Sequence, residues 1–222
     1  MTPRPRRLLF LSLAATTLFA VLAVLVESKS FVVGLDERLV TALHDFGTDR
    51  PAVHGFFAFV TDLGTSRPLW VAGTIAVVLL VCRRLWFRAL VWTAGLLLAT
   101  RVIPILKGEF RRARPPFVHL TDFSFPSGHA FGSAATYGML ALAVLVVFRP
   151  HRWRWAVAAA LWAWIGLIGL SRPILGFHYP SDVLAGLCLG FGWGFYWMAL
   201  ADWWDLRRMR GSAERVERTQ DP

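Results

Sequence analysis

Seven residues of this chain have the chemistry to hold and transfer a phosphoryl group, and they fall in three short polar blocks. The first block is Lys107-Gly-Glu-Phe-Arg-Arg-Ala-Arg114-Pro115. The second is Pro126-Ser127-Gly128-His129. The third joins Ser171-Arg172 to His178 after five residues and to Asp182 after three more. His178 and Asp182 are four apart, so a helical path puts them on one face. An aspartate bonded to one imidazole nitrogen fixes the tautomer and leaves the other nitrogen as a nucleophile. His129 supplies a second imidazole. Of two histidines facing one phosphate, one attacks and the other protonates the leaving oxygen. Lys107, Arg114 and Arg172 neutralise phosphoryl oxygens, arginine as a fork and lysine as a point charge. Ser127, Gly128 and His129 present backbone N–H groups at a helix start, where the helix dipole favours an anion, and Gly128 has no side chain to block close approach. The sequence shows no carboxylate cluster suited to Mg²⁺ or Zn²⁺, so neither a metal nor a cofactor is expected.

The elements that must position these blocks are oily. Apolar residues make up 56% of the 222 residues, and the mean hydropathy is +0.51. Long apolar runs predict an all-α protein with six membrane-spanning helices. The runs are Leu8 to Val26, Leu69 to Cys82, Ala89 to Leu106, His129 to Phe148, Trp155 to Leu170 and Asp182 to about Leu200. The first follows Arg4, Arg6 and Arg7 and is long enough to be a retained anchor rather than a signal peptide. Between the first two spans, Leu35 to Phe46 and Ala52 to Leu63 read as short interfacial helices, the second opened by Pro51 and closed by Gly64. Pro126 and Pro180 are placed in the first turns of the fourth and sixth spans. Residues 1–205 form one membrane domain, and 206–222 form a charged tail expected to be disordered. Cys82 and Cys188 each lie in an apolar run and are read as small core residues.

Charge gives the orientation. The net charge is +10, from 24 Lys+Arg against 14 Asp+Glu. No basic stripe with interleaved aromatics points to nucleic acid. The arginines cluster at span ends instead: 4, 6 and 7; 83, 84 and 88; 149, 152 and 154; 207, 208 and 210. By the positive-inside rule these ends and both termini are cytoplasmic, which leaves all three blocks on the extracytoplasmic face. Lys107, Arg111, Arg112 and Arg114 break the rule there, as an anion site would require. Singly, each block has a plainer explanation: headgroup-binding charges, helix capping, or a hydrogen bond that starts a helix. Jointly, those explanations must bring seven matched residues to one face by accident.

The pattern Lys-x6-Arg-Pro, Pro-Ser-Gly-His, Ser-Arg-x5-His-x3-Asp resembles the type 2 phosphatidic acid phosphatase superfamily. Every signature position is filled, and the span layout is similar to the integral-membrane branch. The resemblance implies a covalent phosphohistidine at His178. It makes His129 the acid and then the base for the hydrolytic water. Lys107, Arg114, Ser127, Gly128, His129 and Arg172 would cradle the phosphate. The implied substrate is a membrane lipid phosphate or diphosphate within the bilayer. Undecaprenyl diphosphate is favoured over phosphatidylglycerol phosphate, phosphatidic acid and diacylglycerol diphosphate, because Arg111 and Arg112 add charge suited to a pyrophosphate or headgroup. Glu109 reads as a local charge partner. The alternatives are a phosphotransferase of the same fold and a non-catalytic lipid-binding or transport protein.

Overall fold

The computed structural model describes residues 3–218, and among them the regular secondary structure is all helical. The helices are α1 (Pro3–Glu27), α2 (Phe31–Thr48), α3 (Pro51–Asp62), α4 (Ser66–Cys82), α5 (Trp86–Phe110), α6 (Gly128–Val147), α7 (Trp153–Ile174) and α8 (Pro180–Arg218). Local chemistry sets their ends. The Ser30 hydroxyl accepts from the Val32 amide at 3.4 Å to open α2. Pro51 takes the first position of α3, where a missing N–H leaves nothing unsatisfied. Arg111 ends α5 in the left-handed region, at φ 47°.

Among the described residues, five helices are long and apolar enough to cross a membrane: α1, α5, α6, α7 and the 180–208 part of α8. Helices α3 and α4 pass that test together, bent by 51°, and make a sixth crossing when taken as one broken span. The expected second span, 69–82, is therefore shorter than the element that carries it, since α4 alone has 17 residues. Two other boundaries differ from expectation. Pro126 precedes the Ser127 cap of α6 rather than lying in its first turn, whereas Pro180 does open α8. Helix α8 also continues to Arg218, through most of the segment expected to be disordered. That segment is rich in arginine, with Glu214 and Glu217, and extends a helix already nucleated. Residues 219–222 of the expected tail lie outside the described residues.

The centre of the bundle is α6, with Ala130, Ala134, Ala135, Ala141 and Ala143 essentially without exposure. Small residues let α8 approach it backbone to backbone. A Cβ on Gly186 would sit 2.5 Å from the Ser127 carbonyl oxygen, and one on Gly190 would sit 2.5 Å from that of Phe131. This contact sets the starts of α6 and α8 side by side, and the Ser127 amide donates to the Asp182 carbonyl at 3.0 Å. Contacts at the far end join the start of α5 to α8 (Arg88 to Asp202 and Asp205) and the end of α4 to that of α6 (Arg83 to the Val147 carbonyl). The three polar blocks accordingly gather at the opposite end, with α2, α3 and the 111–127 loop. Around the rim, Phe10, Leu13 and Val24 of α1 and Ile105 of α5 are more than two-thirds exposed, as side chains facing lipid would be.

Candidate active site

His178 lies in the short connection between α7 and α8 and is 2% exposed. Its Nδ1 is 3.4 Å from Asp182 Oδ2, close enough for an ion pair, although no well-aligned hydrogen bond forms. Asp182 sits in the first turn of α8 and reaches back, so Oδ2 also accepts from the Tyr179 amide at 2.9 Å and from the Ser124 hydroxyl. The histidine is thus not helical itself. The four-residue spacing works because the helix start curls toward it. On the other side of the ring, Arg114 Nη1 approaches Nε2 at 3.2 Å and donates to the Phe177 carbonyl at 2.7 Å. An N–H aimed at Nε2 makes that nitrogen the acceptor and puts the ring proton on Nδ1, facing Asp182. Burial first, and then Arg172 and Arg114, outweigh Asp182 and push the His178 pKa down to about 4. The imidazole is therefore neutral at pH 7, with the lone pair of Nε2 directed at the cationic cluster.

That cluster is drawn from three elements. Lys107 Nζ, in the last turn of α5, lies 2.6 Å from Asp122 Oδ2. Arg114 grips the same carboxylate in a fork, Nε to Oδ1 at 2.9 Å and Nη2 to Oδ2 at 2.8 Å. Burial alone would raise the Asp122 carboxyl, but hydrogen bonds from Arg114 and Lys107 hold it well below the usual carboxylate range. Arg172, in the last turn of α7, is 6% exposed. Its Nη1 donates to Thr61 Oγ1 at 2.6 Å, and its guanidinium lies 4.3 Å from the Phe177 ring centre. Its Nε is buried and makes no hydrogen bond. A guanidinium beside His178 with no carboxylate ion pair suits a phosphoryl oxygen.

His129 is the second residue of α6, and the α3–α4 turn closes over it. A Cβ on Gly64 would lie 2.6 Å from Ile168 Cγ2 and 2.9 Å from His129 Cδ2, so a side chain there would push these two residues aside. His129 also borders a largely apolar cavity of about 490 Å³ between α4 and α5, lined by Leu69, Trp70, Leu96, Ile103 and Phe131. Ser127 is fully buried; its hydroxyl accepts from the Ala130 amide at 3.5 Å. Its own amide is taken by Asp182, so the outward amides at this helix start are those of Gly128 and His129, which have no partner inside the helix.

Arg111 and Arg112 part company. Arg111 is exposed at the end of α5 and donates locally to the Gly108 carbonyl at 2.9 Å. Arg112 turns inward instead of reaching a headgroup, with Nη2 2.7 Å from Asp36 Oδ2 and Nη1 2.6 Å from Asp182 Oδ1. Burial opposes its charge, but Asp182 and Asp36 outweigh burial and raise its pKa. Sequence reasoning missed Asp122, Asp36 and Ser124. For Ser124 there was a weak signal, a small polar residue ahead of a polar block.

A neutral buried imidazole backed by a carboxylate, a second imidazole and three convergent cations, all at one end of a helical bundle of membrane-spanning character, define an integral-membrane phosphoryl-handling enzyme. Residues 88–205 match the PAP2 superfamily, and the chain belongs to it. It is 30% identical over 152 residues to phosphatidylglycerophosphatase B of Bacillus subtilis, covering 64% of this chain and 71% of that one. It is 35% identical over 85 residues to undecaprenyl-diphosphatase BcrC of the same organism, covering 38% of each. Its fold is similar to the crystal structure of a transmembrane PAP2-type phosphatidylglycerolphosphate phosphatase from Bacillus subtilis. The TM-score is 0.76 at 25% identity, covering 93% of this chain and 98% of that one. The protein is an integral-membrane phosphatase, a hydrolase of phosphoric esters.

Proposed function

We propose that the enzyme hydrolyses the phosphate or diphosphate of a membrane lipid through a phosphohistidine at His178. The observation that carries this reading is the placement of the buried His178, with Nε2 3.2 Å from Arg114 Nη1 on the cation side and Nδ1 3.4 Å from Asp182 behind the ring. Arg114 Nη1 now occupies its front and turns to a phosphoryl oxygen when substrate enters. Nε2 attacks phosphorus, the P–O bond to the lipid breaks, and His129 donates a proton to the departing oxygen. Water then attacks phosphorus while His129 takes its proton, a P–O bond forms as the P–N bond breaks, and phosphate leaves as His178 regains its electron pair. Lys107, Arg114, Arg172 and the amides of Gly128 and His129 stabilise the phosphoryl charge, with the Ser127 hydroxyl beside them.

The apolar cavity beside His129 suits an acyl or prenyl chain. Sidedness follows from the arginine-rich far end, which the positive-inside rule assigns to the cytoplasm, leaving the site extracytoplasmic. Undecaprenyl diphosphate and phosphatidylglycerol phosphate lead the candidates, since relatives are named for each. The charge argument for a diphosphate is weakened, because Arg112 is committed to Asp36 and Asp182 and only Arg111 stays at the rim. The test is phosphate release by the detergent-solubilised protein from both lipids, phosphatidic acid and diacylglycerol diphosphate, with and without EDTA. The wild type is expected to release phosphate in EDTA, and His178→Ala to lose activity by about 10³-fold or more. Activity retained by His178→Ala overturns the phosphohistidine.

A further inference from the structure

The carboxylate behind His178 is itself held from behind, by residues far from the three blocks. Asp36, on α2, is 3% exposed and Asp182 is fully buried. Arg112 spans the two, and its guanidinium lies 4.2 Å from the Tyr179 ring centre. Ser181 fills the gap: its amide donates to Asp36 Oδ1 at 2.9 Å, its hydroxyl donates to Asp36 Oδ2, and that hydroxyl oxygen accepts from Arg112 Nη1 at 2.8 Å.

We propose that Asp36 and Arg112 are positioning residues of the reaction, forming a buried relay Asp36–Arg112–Asp182 that fixes the carboxylate against Nδ1 of His178. The proposal rests on the phosphohistidine reading above. Asp182 Oδ1 is taken by Arg112, and Oδ2 is taken by Ser124 and the Tyr179 amide. The carboxylate cannot rotate without breaking one of these bonds, so Oδ2 stays on the Nδ1 side of the ring. Two carboxylates and one guanidinium also leave the relay with one net negative charge. When Nε2 gives its electron pair to phosphorus, the ring becomes cationic, and that charge is met from behind. A buried ion triad is a poor way to stabilise a fold, because desolvation offsets most of its attraction. Its value here is orientation, and it brings α2 into the reaction although α2 lies outside the residues matched to the family.

The groups facing His178 are Asp182 from α8, Arg172 from α7, His129 from α6, and Arg114 from the loop after α5 with Lys107 beside it. Asp36 acts on the ring only through Arg112. The relay therefore predicts two opposite displacements. Arg112→Gln leaves two carboxylates uncompensated, which favours the imidazolium and moves the acid limb of kcat/KM to higher pH. Asp36→Asn leaves the relay neutral and moves that limb to lower pH.

The experiment compares the full-length proteins on a lipid phosphate that the wild type hydrolyses, recording kcat, KM and the pH profile. Both variants are expected to lose kcat by about 10- to 100-fold, the range for removing a group that orients a reactive histidine, with KM little changed. Arg112→Lys, which keeps the charge without the fork, is expected to lose kcat with the limb in place. This variant, with the near-isosteric Asp36→Asn, keeps the test decisive if Arg112→Gln fails to fold. Limbs moving in the same direction, or wild-type kcat and limb in Asp36→Asn and Arg112→Lys, reduce the relay to a structural tie and overturn the proposal. His178→Ala runs alongside. If it is active, the phosphohistidine reading fails; if it is inert while the relay variants behave as wild type, only the relay fails.

Discussion

Both ends of the bundle are rich in arginine, but they leave their cations in different states. At the end away from the site, Arg88 lies 2.7 Å from Asp202 and 2.6 Å from Asp205, and Phe87 stacks on Trp204 at 4.5 Å. Two carboxylates hold one cation, and the arrangement locks α5 to α8. At the site end Arg112 is held in the same way, by Asp36 and Asp182, but in the cluster in front of His178 the proportion reverses. Lys107 and Arg114 share the half-exposed Asp122, and Arg172 is buried with a hydroxyl on Nη1 and nothing on Nε. A buried guanidinium with incomplete partners costs free energy that an incoming anion recovers. Arg88 and Arg112 are thus braces between paired carboxylates, whereas Arg172, which has no carboxylate ion pair among the described residues, is the arginine we propose as a phosphoryl-binding group.

The strongest way to break this contrast is to change each arginine to lysine. Arg172→Lys keeps the charge but loses the fork and the buried Nε. It is expected to lower kcat by about 10²- to 10³-fold, the scale for one lost donor to a developing oxyanion. Arg88→Lys is expected to leave kcat at the wild-type level. Steady-state rates on one lipid phosphate decide it, and equal losses in the two variants would mean that the site end has no special cation.

How far this contrast could be read from sequence depends on which residues are asked about. That the three blocks gather at one end was legible, because their residue types stand out from the apolar runs and those runs set how many crossings separate them. Asp36 was not. It stands in a connection with Glu37, Asp45, Asp49 and Asp62, and only the fold of α2 onto the start of α8 singles it out. Asp122 was hidden in a loop without periodicity. Arg112 was misread as a rim cation beside Arg111, because the left-handed turn at Arg111 is what sends the next side chain inward. Gly186 and Gly190 stand four apart where α8 meets α6 closely, but their spacing does not name the partner. The bend between α3 and α4 escaped for a similar reason: Gly64 reads as a stop, while its actual constraint is the space taken by Ile168 and His129.

A second variant at the far end sharpens the contrast through stability. Arg88→Met removes the cation between two carboxylates, of which Asp202 is 5% exposed. The expected cost is about 3 kcal/mol, the low end for a buried pair losing one partner, seen as a lower unfolding temperature in detergent. The kcat of the folded fraction is expected to stay unchanged. A fall in kcat without a fall in stability would show that the far end communicates with the site, and the two regions would no longer be separable.

The smallest effect concerns Asp122, which pairs with two of the cations we propose to hold phosphate. It accepts from Arg114 and Lys107, the same N–H groups a phosphoryl oxygen needs, so carboxylate and phosphate compete for them. Because both cations hold its pKa well down, Asp122 stays ionised and keeps competing as the solution is acidified. Asp122→Asn keeps the shape and removes the charge. Solvent screens the pair, since the Asp122 side chain is 54% exposed. The gain is therefore modest: inhibition by inorganic phosphate is expected to tighten by roughly two- to fivefold, equivalent to about 0.5–1 kcal/mol. The difference should shrink as salt is added. If phosphate inhibition weakens instead, Asp122 braces Lys107 and Arg114 as Asp202 and Asp205 brace Arg88. The site end would then be organised on the same plan as the far end, with Arg172 alone left to carry the distinction.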